Sequence, residues 1–209
     1  MNKENNRCTW VGKEPLNIKY HDEEWGIPLH NDNRHFEFLV LESAQAGLSW
    51  LTILKRRENY RRLYANFDPV KVAAFNKDKI EELLNDPGII RNRMKIEASV
   101  NNAARFLEIK KEFGSFDNYL LSFCGGRQIV NHWKNIREVP AKTALSDVIS
   151  TDLKKRGFRF VGSTIMYAHL QAVGIVNDHL TDCFRYKQVI EQDFQEKRDS
   201  SLINRSMAE

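Results

Sequence analysis

Proline and glycine are scarce in this chain, 5 and 10 among 209 residues, and no low-complexity run or internal repeat interrupts it. That sets aside fibrous, linker-like and repeat architectures and leaves an ordinary soluble globule. Cysteine is scarcer still. Three Cys, an odd number and widely spaced, make no disulfide framework, so a reducing cytoplasm is the expected setting. No apolar run is long enough to cross a bilayer, which argues against a membrane partner. The first ten residues, MNKENNRCTW, are polar, and no secretory signal is expected. Charge of one sign is not in large excess either. A net +4 permits a polyanion partner without requiring one.

What is present is apolar surface in helical order. A hydrophobic fraction of 42% with 11% aromatics supplies a sizeable core. Phe36, Phe38, Leu39, Leu41 and Ala44 form a stripe that ends at Gly47, and Ser49 then caps a stretch over 50–64. The outer face of that stretch carries Lys55, Arg56, Arg57, Arg61 and Arg62. Asp68-Pro69 reads as an N-cap with proline at the first helical position. Helices are further expected over 77–84, 91–113 and 116–123, then from Ser146 to Arg156 with Gly157 as stop, over 162–173, and from about His179. The segment 127–142 is the least regular and has room for a short strand. The class is all-α: a single domain of two helical lobes over 1–190, followed by a polar tail, 191–209, expected to fray.

Two pairs of metal-type ligands sit at opposite ends of the chain, Cys8 with His21 and His179 with Cys183. Thiolate and imidazole suit a tetrahedral zinc ion, and His-x3-Cys puts both side chains on one face of a helical turn. Such a set leaves no ligand position open for water, so its job would be structural. The alternative is that each Cys is a small buried hydrophobe.

Between the pairs, the turn Gly157-Phe-Arg-Phe160-Val161-Gly162-Ser163-Thr164 joins two helices, with Lys154, Lys155, Arg156 and Arg159 around it. Amide groups at a helix start favour a phosphate oxygen, as in a helix-hairpin-helix gripping a DNA backbone; the other reading is a glycine turn with a solvated basic rim. The segment from Pro87 to Lys95 has a similar shape and a second basic edge. Glu42 places a carboxylate inside an apolar stripe, near Trp50 in sequence, while Tyr20 and Trp25 flank His21. Glu42 either pairs with a cation for structural reasons or faces a flipped base stacked on aromatic rings.

The runs Tyr20-His21-Asp22-x-x-Trp25-Gly26, Leu41-Glu42-x-x-x-Ala46-Gly47-Leu48-Ser49-Trp50, Gly88-Ile-Ile-Arg91-x-Arg93-x-Lys95-Ile96, Lys155-Arg156-Gly157-Phe-x-Phe160-Val161-Gly162 and Val176-Asn177-Asp178-His179 closely resemble the bacterial 3-methyladenine DNA glycosylase I family, from about Cys8 to Cys183. The resemblance implies a helix-hairpin-helix glycosylase fold with a zinc clip made by Cys8, His21, His179 and Cys183. It implies a pocket in which Glu42 recognises the methylated adenine while Tyr20 and Trp50 stack on it. One departure stands out: Asn17 occupies a position where the family often has a second pocket tyrosine. The expected activity is excision of 3-methyladenine from double-stranded DNA by a monomeric, monofunctional hydrolase. Gly47 and Leu48 would enter the duplex, and Asp178 ranks second to Glu42 as the catalytic carboxylate. A DNA-backbone-binding module without catalysis, or a zinc hydrolase of small molecules, are the alternatives; the first gives no reason for Glu42, and the second needs an open coordination site.

Overall fold

The computed structural model describes residues 6–190, in two compact units. The expected polar tail, 191–209, lies outside the described residues. Among those described, no helix is long and apolar enough to cross a membrane.

Helices run as α1 (Pro15–Glu23), α2 (Asp32–Gln45), α3 (Trp50–Leu54), α4 (Arg57–Leu63), α5 (Pro69–Ala73), α6 (Lys77–Asn85), α7 (Arg93–Phe113), α8 (Phe116–Ser122), α9 (Ala144–Lys155) and α10 (Ser163–Ala172). Two two-residue strands, β1 (Ile129–Val130) and β2 (Val176–Asn177), pair in parallel. The described residues are therefore mostly helical, with one small departure from all-α: β1 falls inside the segment read as irregular, and β2 lies after α10.

One unit spans Leu29–Gly126 and Ala141–Leu170. Its spine is α2, whose N-cap Asn31 accepts from the Arg34 amide. Leu41 and Phe36 are wholly buried, and Phe36 meets Phe106 of α7 edge-on at 5.5 Å. Phe106 in turn stacks on Phe116 of α8 at 4.6 Å. The cap expected at Ser49 is present, its side chain accepting from the Thr52 amide, but the helix it opens breaks at Lys55–Arg56. The restart turns Arg57 inward. Instead of lying on an outer basic face it is 6% exposed and bonds Glu37 at 2.8 Å. Asp68 caps α5 through two amides. The start of α9 lies one turn earlier than expected: Thr143 is the N-cap, and Ser146 is its capping-box partner.

The other unit contains residues 6–28, Arg127–Pro140 and 171–190. Its parallel pair is flanked by bonds from the Ile129 amide to the Ile175 carbonyl and from Asn131 to Asn177. Residues 179–183 are not helical, contrary to the expected helix from His179; helical backbone starts at 185. The Phe184 amide bonds the Asn6 carbonyl, which brings the two ends of the described chain side by side.

Candidate functional site

Cys8, His21, His179 and Cys183 converge in the second of these units, all buried, with one ligand atom from each lying within 4.8 Å of the others. Cys183 Sγ is 3.4 Å from His21 Nε2 and 3.6 Å from His179 Nδ1, and Cys8 Sγ is 3.6 Å from the same Nδ1. Zinc bonds of about 2.3 Å to sulfur and about 2.0–2.1 Å to nitrogen put the corners of a tetrahedron roughly 3.5 Å apart, so these three edges match those of a site that could hold the ion. The second ring nitrogens are also held, as metal-ligating histidines need. His21 Nδ1 bonds Asp22 at 2.8 Å, with Arg7 gripping that carboxylate, and His179 Nε2 faces the Trp25 carbonyl at 3.1 Å. A side chain on Gly26 would place its Cβ 2.8 Å from His179 Nε2, at a φ of +81°, so only glycine leaves room for the ring. The fit holds although 179–183 is a turn rather than helix.

Asp178 does not orient the His179 ring, whose nitrogens are directed elsewhere. Its carboxylate accepts from Trp133 Nε1, Asn131 Nδ2 and Gln171 Nε2 at 2.7–2.8 Å. Tyr20 and Asn17 belong to this unit too, on α1. The Asn17 amide donates to the Val11 carbonyl at 3.3 Å, while its buried Oδ1 has no partner among the described residues.

In the α2 unit, Glu42 is 4% exposed and lines a cavity of about 200 Å³ with Gln45, Ala46, Gly47, Leu48, Thr164, Ile165 and Ala168. Gly47 takes a φ of +79° just past the end of α2, and Leu48 beside it is 41% exposed. Trp50, half-buried, opens α3 after this loop. Lys95 fastens the loop, donating from Nζ to the Ala44 and Ala46 carbonyls at 2.9 and 2.6 Å. Its partial burial lowers its pKa from the usual lysine range. Glu42 Oε2 meets His169 Nδ1 at 2.9 Å. Burial raises the Glu42 pKa well above the ordinary carboxyl range and lowers that of His169 to about 3. Sequence reasoning gave His169 no role and read Lys95 only as part of a second basic edge. Lys95 stood in a recognisable motif, whereas a single histidine on an apolar helix carried no signal.

The hairpin between α9 and α10 also lies in this unit. Gly157 has a φ of +88° and Phe160 a φ of +55°. Its carbonyls are tied down: Ser150 Oγ donates to Val161, Asn102 Nδ2 to Arg159, and Ser43 Oγ to Phe160. Ser163 Oγ bonds Ser146 Oγ at 2.8 Å, and Gly162 has open space around its Cα. Lys154, Lys155, Arg159 and Thr164 are exposed. Arg156 is not part of that rim, because Asp152 and Glu112 bind its guanidinium at 2.7 and 2.6 Å. In the segment from Pro87 to Lys95, Arg93 bonds Glu81, and Lys95 serves the loop after α2.

Residues 10–186 match the methyladenine glycosylase family. The chain is 47% identical over 180 residues to DNA-3-methyladenine glycosylase 1 of Escherichia coli K12, covering 86% of this chain and 96% of that one. It is 45% identical over 177 residues to the DNA-3-methyladenine glycosylase of Haemophilus influenzae, covering 85% and 96%. Among solved structures, a 3-methyladenine DNA glycosylase I superposes with a TM-score of 0.83 at 46% identity, covering 86% of this chain and 98% of that one. The Staphylococcus aureus enzyme, solved for its recognition of 3-methyladenine, gives 0.83 at 37% identity over 87% and 96%. With a match over most of its length and relatives this similar, the chain belongs to the methyladenine glycosylase family.

Proposed function

We propose that this protein is a monofunctional DNA glycosylase that hydrolyses the N-glycosidic bond of 3-methyladenine in alkylated double-stranded DNA and leaves an abasic site. The observation that carries the reading is the buried Glu42 carboxyl on the wall of a small, mostly apolar cavity, in a chain of this family. Methylation at N3 makes the base a cation and a good leaving group. A site that favours a cation therefore needs little further chemistry to break the bond to the sugar. Glu42 supplies negative charge to the base edge, and Trp50 and Tyr20 supply electron-rich faces. Asn17 stands where the family often has tyrosine, and its buried Oδ1 accepts no hydrogen bond among the described residues.

Water is the nucleophile in this reading. Among the described residues the cavity wall carries no lysine, and Lys95 beside it directs its ammonium to two carbonyls rather than to the cavity. Leu48, exposed at the cavity rim next to Gly47, fills the gap left by the extruded nucleotide. Phe160, Val161, Gly162, Ser163 and Thr164, with Lys154, Lys155 and Arg159, form a helix-hairpin-helix that holds the backbone without reading bases.

We further propose that Cys8, His21, His179 and Cys183 hold one zinc ion. When bound, it supplies a structural cross-link and no open position for substrate. The protein acts as a cytoplasmic monomer. The test is release of free 3-methyladenine from methylated duplex DNA, resolved by chromatography; binding to such DNA without base release would leave only a backbone-binding module.

A further inference from the structure

Glu42 is the inner end of a chain of hydrogen-bonded groups that leads away from the cavity. Its Oε2 meets His169 Nδ1 at 2.9 Å, and His169 Nε2 meets His35 Nδ1 at 3.4 Å. His35 Nε2 lies 2.7 Å from the Leu29 carbonyl and 3.6 Å from Asp117 Oδ1. Asp117 Oδ2 then bonds His30 Nδ1 at 2.6 Å, and the His30 side chain is 59% exposed. Both inner histidines are fully buried, and Phe116 packs against both rings. Other charges on the packed helices are engaged among themselves: Arg34 with Glu37, and Lys110 with Asp32.

The Leu29 carbonyl fixes the direction of this chain, because a carbonyl only accepts. His35 therefore always carries a proton on Nε2. If His35 is neutral, its Nδ1 is an acceptor, so His169 donates from Nε2. If His169 is neutral too, its own Nδ1 is an acceptor, and the group facing it must donate. Glu42 is then a carboxylic acid with its proton on Oε2. Burial, which raises the Glu42 pKa and lowers those of both histidines, favours this neutral arrangement.

The same protons have a second arrangement. The Glu42 O–H bond breaks as its proton passes to His169 Nδ1, and the His169 Nε2–H bond breaks as that proton passes to His35 Nδ1. The products are a Glu42 carboxylate, a neutral His169 of the other tautomer, and a His35 imidazolium facing the Asp117 carboxylate. No proton is exchanged with water.

We propose that His169 and His35 are an internal proton relay that converts Glu42 from acid to carboxylate when a cationic base occupies the cavity, with Asp117 as the counter-ion. This rests on the base-pocket reading above and deepens it. Burial of all three groups favours the neutral arrangement, and a methylated cation beside Glu42 favours the ionised one. Once the glycosidic bond breaks, the base is neutral, the attraction ends, and the relay resets as product leaves. His169 and His35 are positioning residues that act through Glu42.

The test uses the full chain labelled with ¹⁵N-histidine, read by long-range ¹H–¹⁵N spectra that distinguish imidazole tautomers, with the Trp50 indole as binding reporter. The probes are the 3,9-dimethyladeninium cation and neutral 3-methyladenine. In the free protein both His169 and His35 should be Nε2–H. The cation should turn His169 to Nδ1–H and give His35 a second proton, and the neutral base should leave the free pattern in place. A cation that moves Trp50 but leaves the histidines unchanged, or a free protein with His169 already Nδ1–H, overturns the relay alone. A cation that does not bind overturns the base-pocket reading and the relay with it. A His169→Gln protein gives a second readout. Its excision rate should rise with pH through the neutral range, because Glu42 must then lose its proton to water, while the wild-type rate stays flat. An equal loss at every pH would mark His169 as merely structural and overturn the relay.

Discussion

Glu37 and Glu42 lie five positions apart on α2, roughly 140° around the helix, and both carboxyl groups are buried, at 2% and 4% exposure. They are accommodated by opposite means. Glu37 is held among guanidinium groups, with Arg57 and Arg61 at 2.8 and 3.0 Å. Glu42 faces an imidazole that burial keeps neutral. The first arrangement is a fixed ion pair that braces α2 against α4. The second leaves a carboxyl group whose charge depends on what enters the cavity, which is the more useful property in a site for a cationic base.

The metal cage predicts a protein that holds one zinc and depends on it. Because it joins residues more than 160 positions apart, Cys183→Ala should lower the thermal midpoint by roughly 10 °C. Elemental analysis of protein prepared without chelator checks the stoichiometry. Zinc-free protein with an unchanged melting curve would reduce the four residues to core packing.

The basic rim of the α9–α10 hairpin predicts affinity that is insensitive to sequence and sensitive to salt. Removing two phosphate contacts with Lys155→Ala and Arg159→Ala should reduce the slope of log K against log salt by roughly 2 on every duplex. Fluorescence anisotropy on an abasic duplex measures it. An unchanged slope would move the footprint elsewhere.

Much of this was readable from sequence where the decision is local. Asp68, Ser49 and Gly157 act within four residues, so composition at the helix end is enough. Thr143 shows how narrow that margin is, since two hydroxyl residues three apart both qualify as caps and the capping box uses both. Arg57 was not readable, because the break at Lys55–Arg56 rotates it out of the single-helix register. The His179 turn was hidden for a related reason: ligand spacing of four suits a helix, and the structure reaches the same cage from a non-helical turn. Lys95 and His169 depend on contacts 49 and 127 residues distant, which no local pattern records.

Lys95 predicts a coupling between loop and stability. Its ammonium satisfies carbonyls at the carboxy-terminal end of α2, where cations are favoured. Lys95→Met keeps the stem but removes the donor, and should cost about 1–2 kcal/mol in a urea melt. Base excision should fall further than this loss of folded protein explains, because the Gly47-Leu48 loop loses its fastening. Equal activity per folded molecule would show that the loop holds its shape unaided.

Asp117 predicts an acid limb in the stability curve. Burial alone would raise its pKa, but the hydrogen bond from His30 and the nearby His35 imidazole outweigh that and hold it at about 2. A depressed carboxyl pKa contributes stability that is present above the unfolded value, near about 3.9, and lost as pH falls toward 2. The contribution is about 2–3 kcal/mol. Denaturant melts at stepped pH should show it in wild type, and Asp117→Asn should flatten the curve over that window.

Glu42 and Asp178 compete for the catalytic role, and their surroundings separate them. Asp178 is engaged by three donors, from Trp133, Asn131 and Gln171, so its oxygens already hold the 131–133 segment beside β2. Asp178→Asn places an NH₂ group where donors converge. It should destabilise that segment and the neighbouring His179, lowering zinc retention and the melting point together with activity. Glu42→Gln keeps the shape of a side chain at the cavity wall but can never become an anion. It should reduce 3-methyladenine release by at least roughly tenfold, the effect of about 1.4 kcal/mol in the barrier, with zinc content and melting unchanged. Single-turnover excision assays, read beside metal analysis of the same preparations, decide between them. A Glu42→Gln protein at wild-type rate, with a zinc-replete and inactive Asp178→Asn protein, would make Asp178 the catalytic carboxylate.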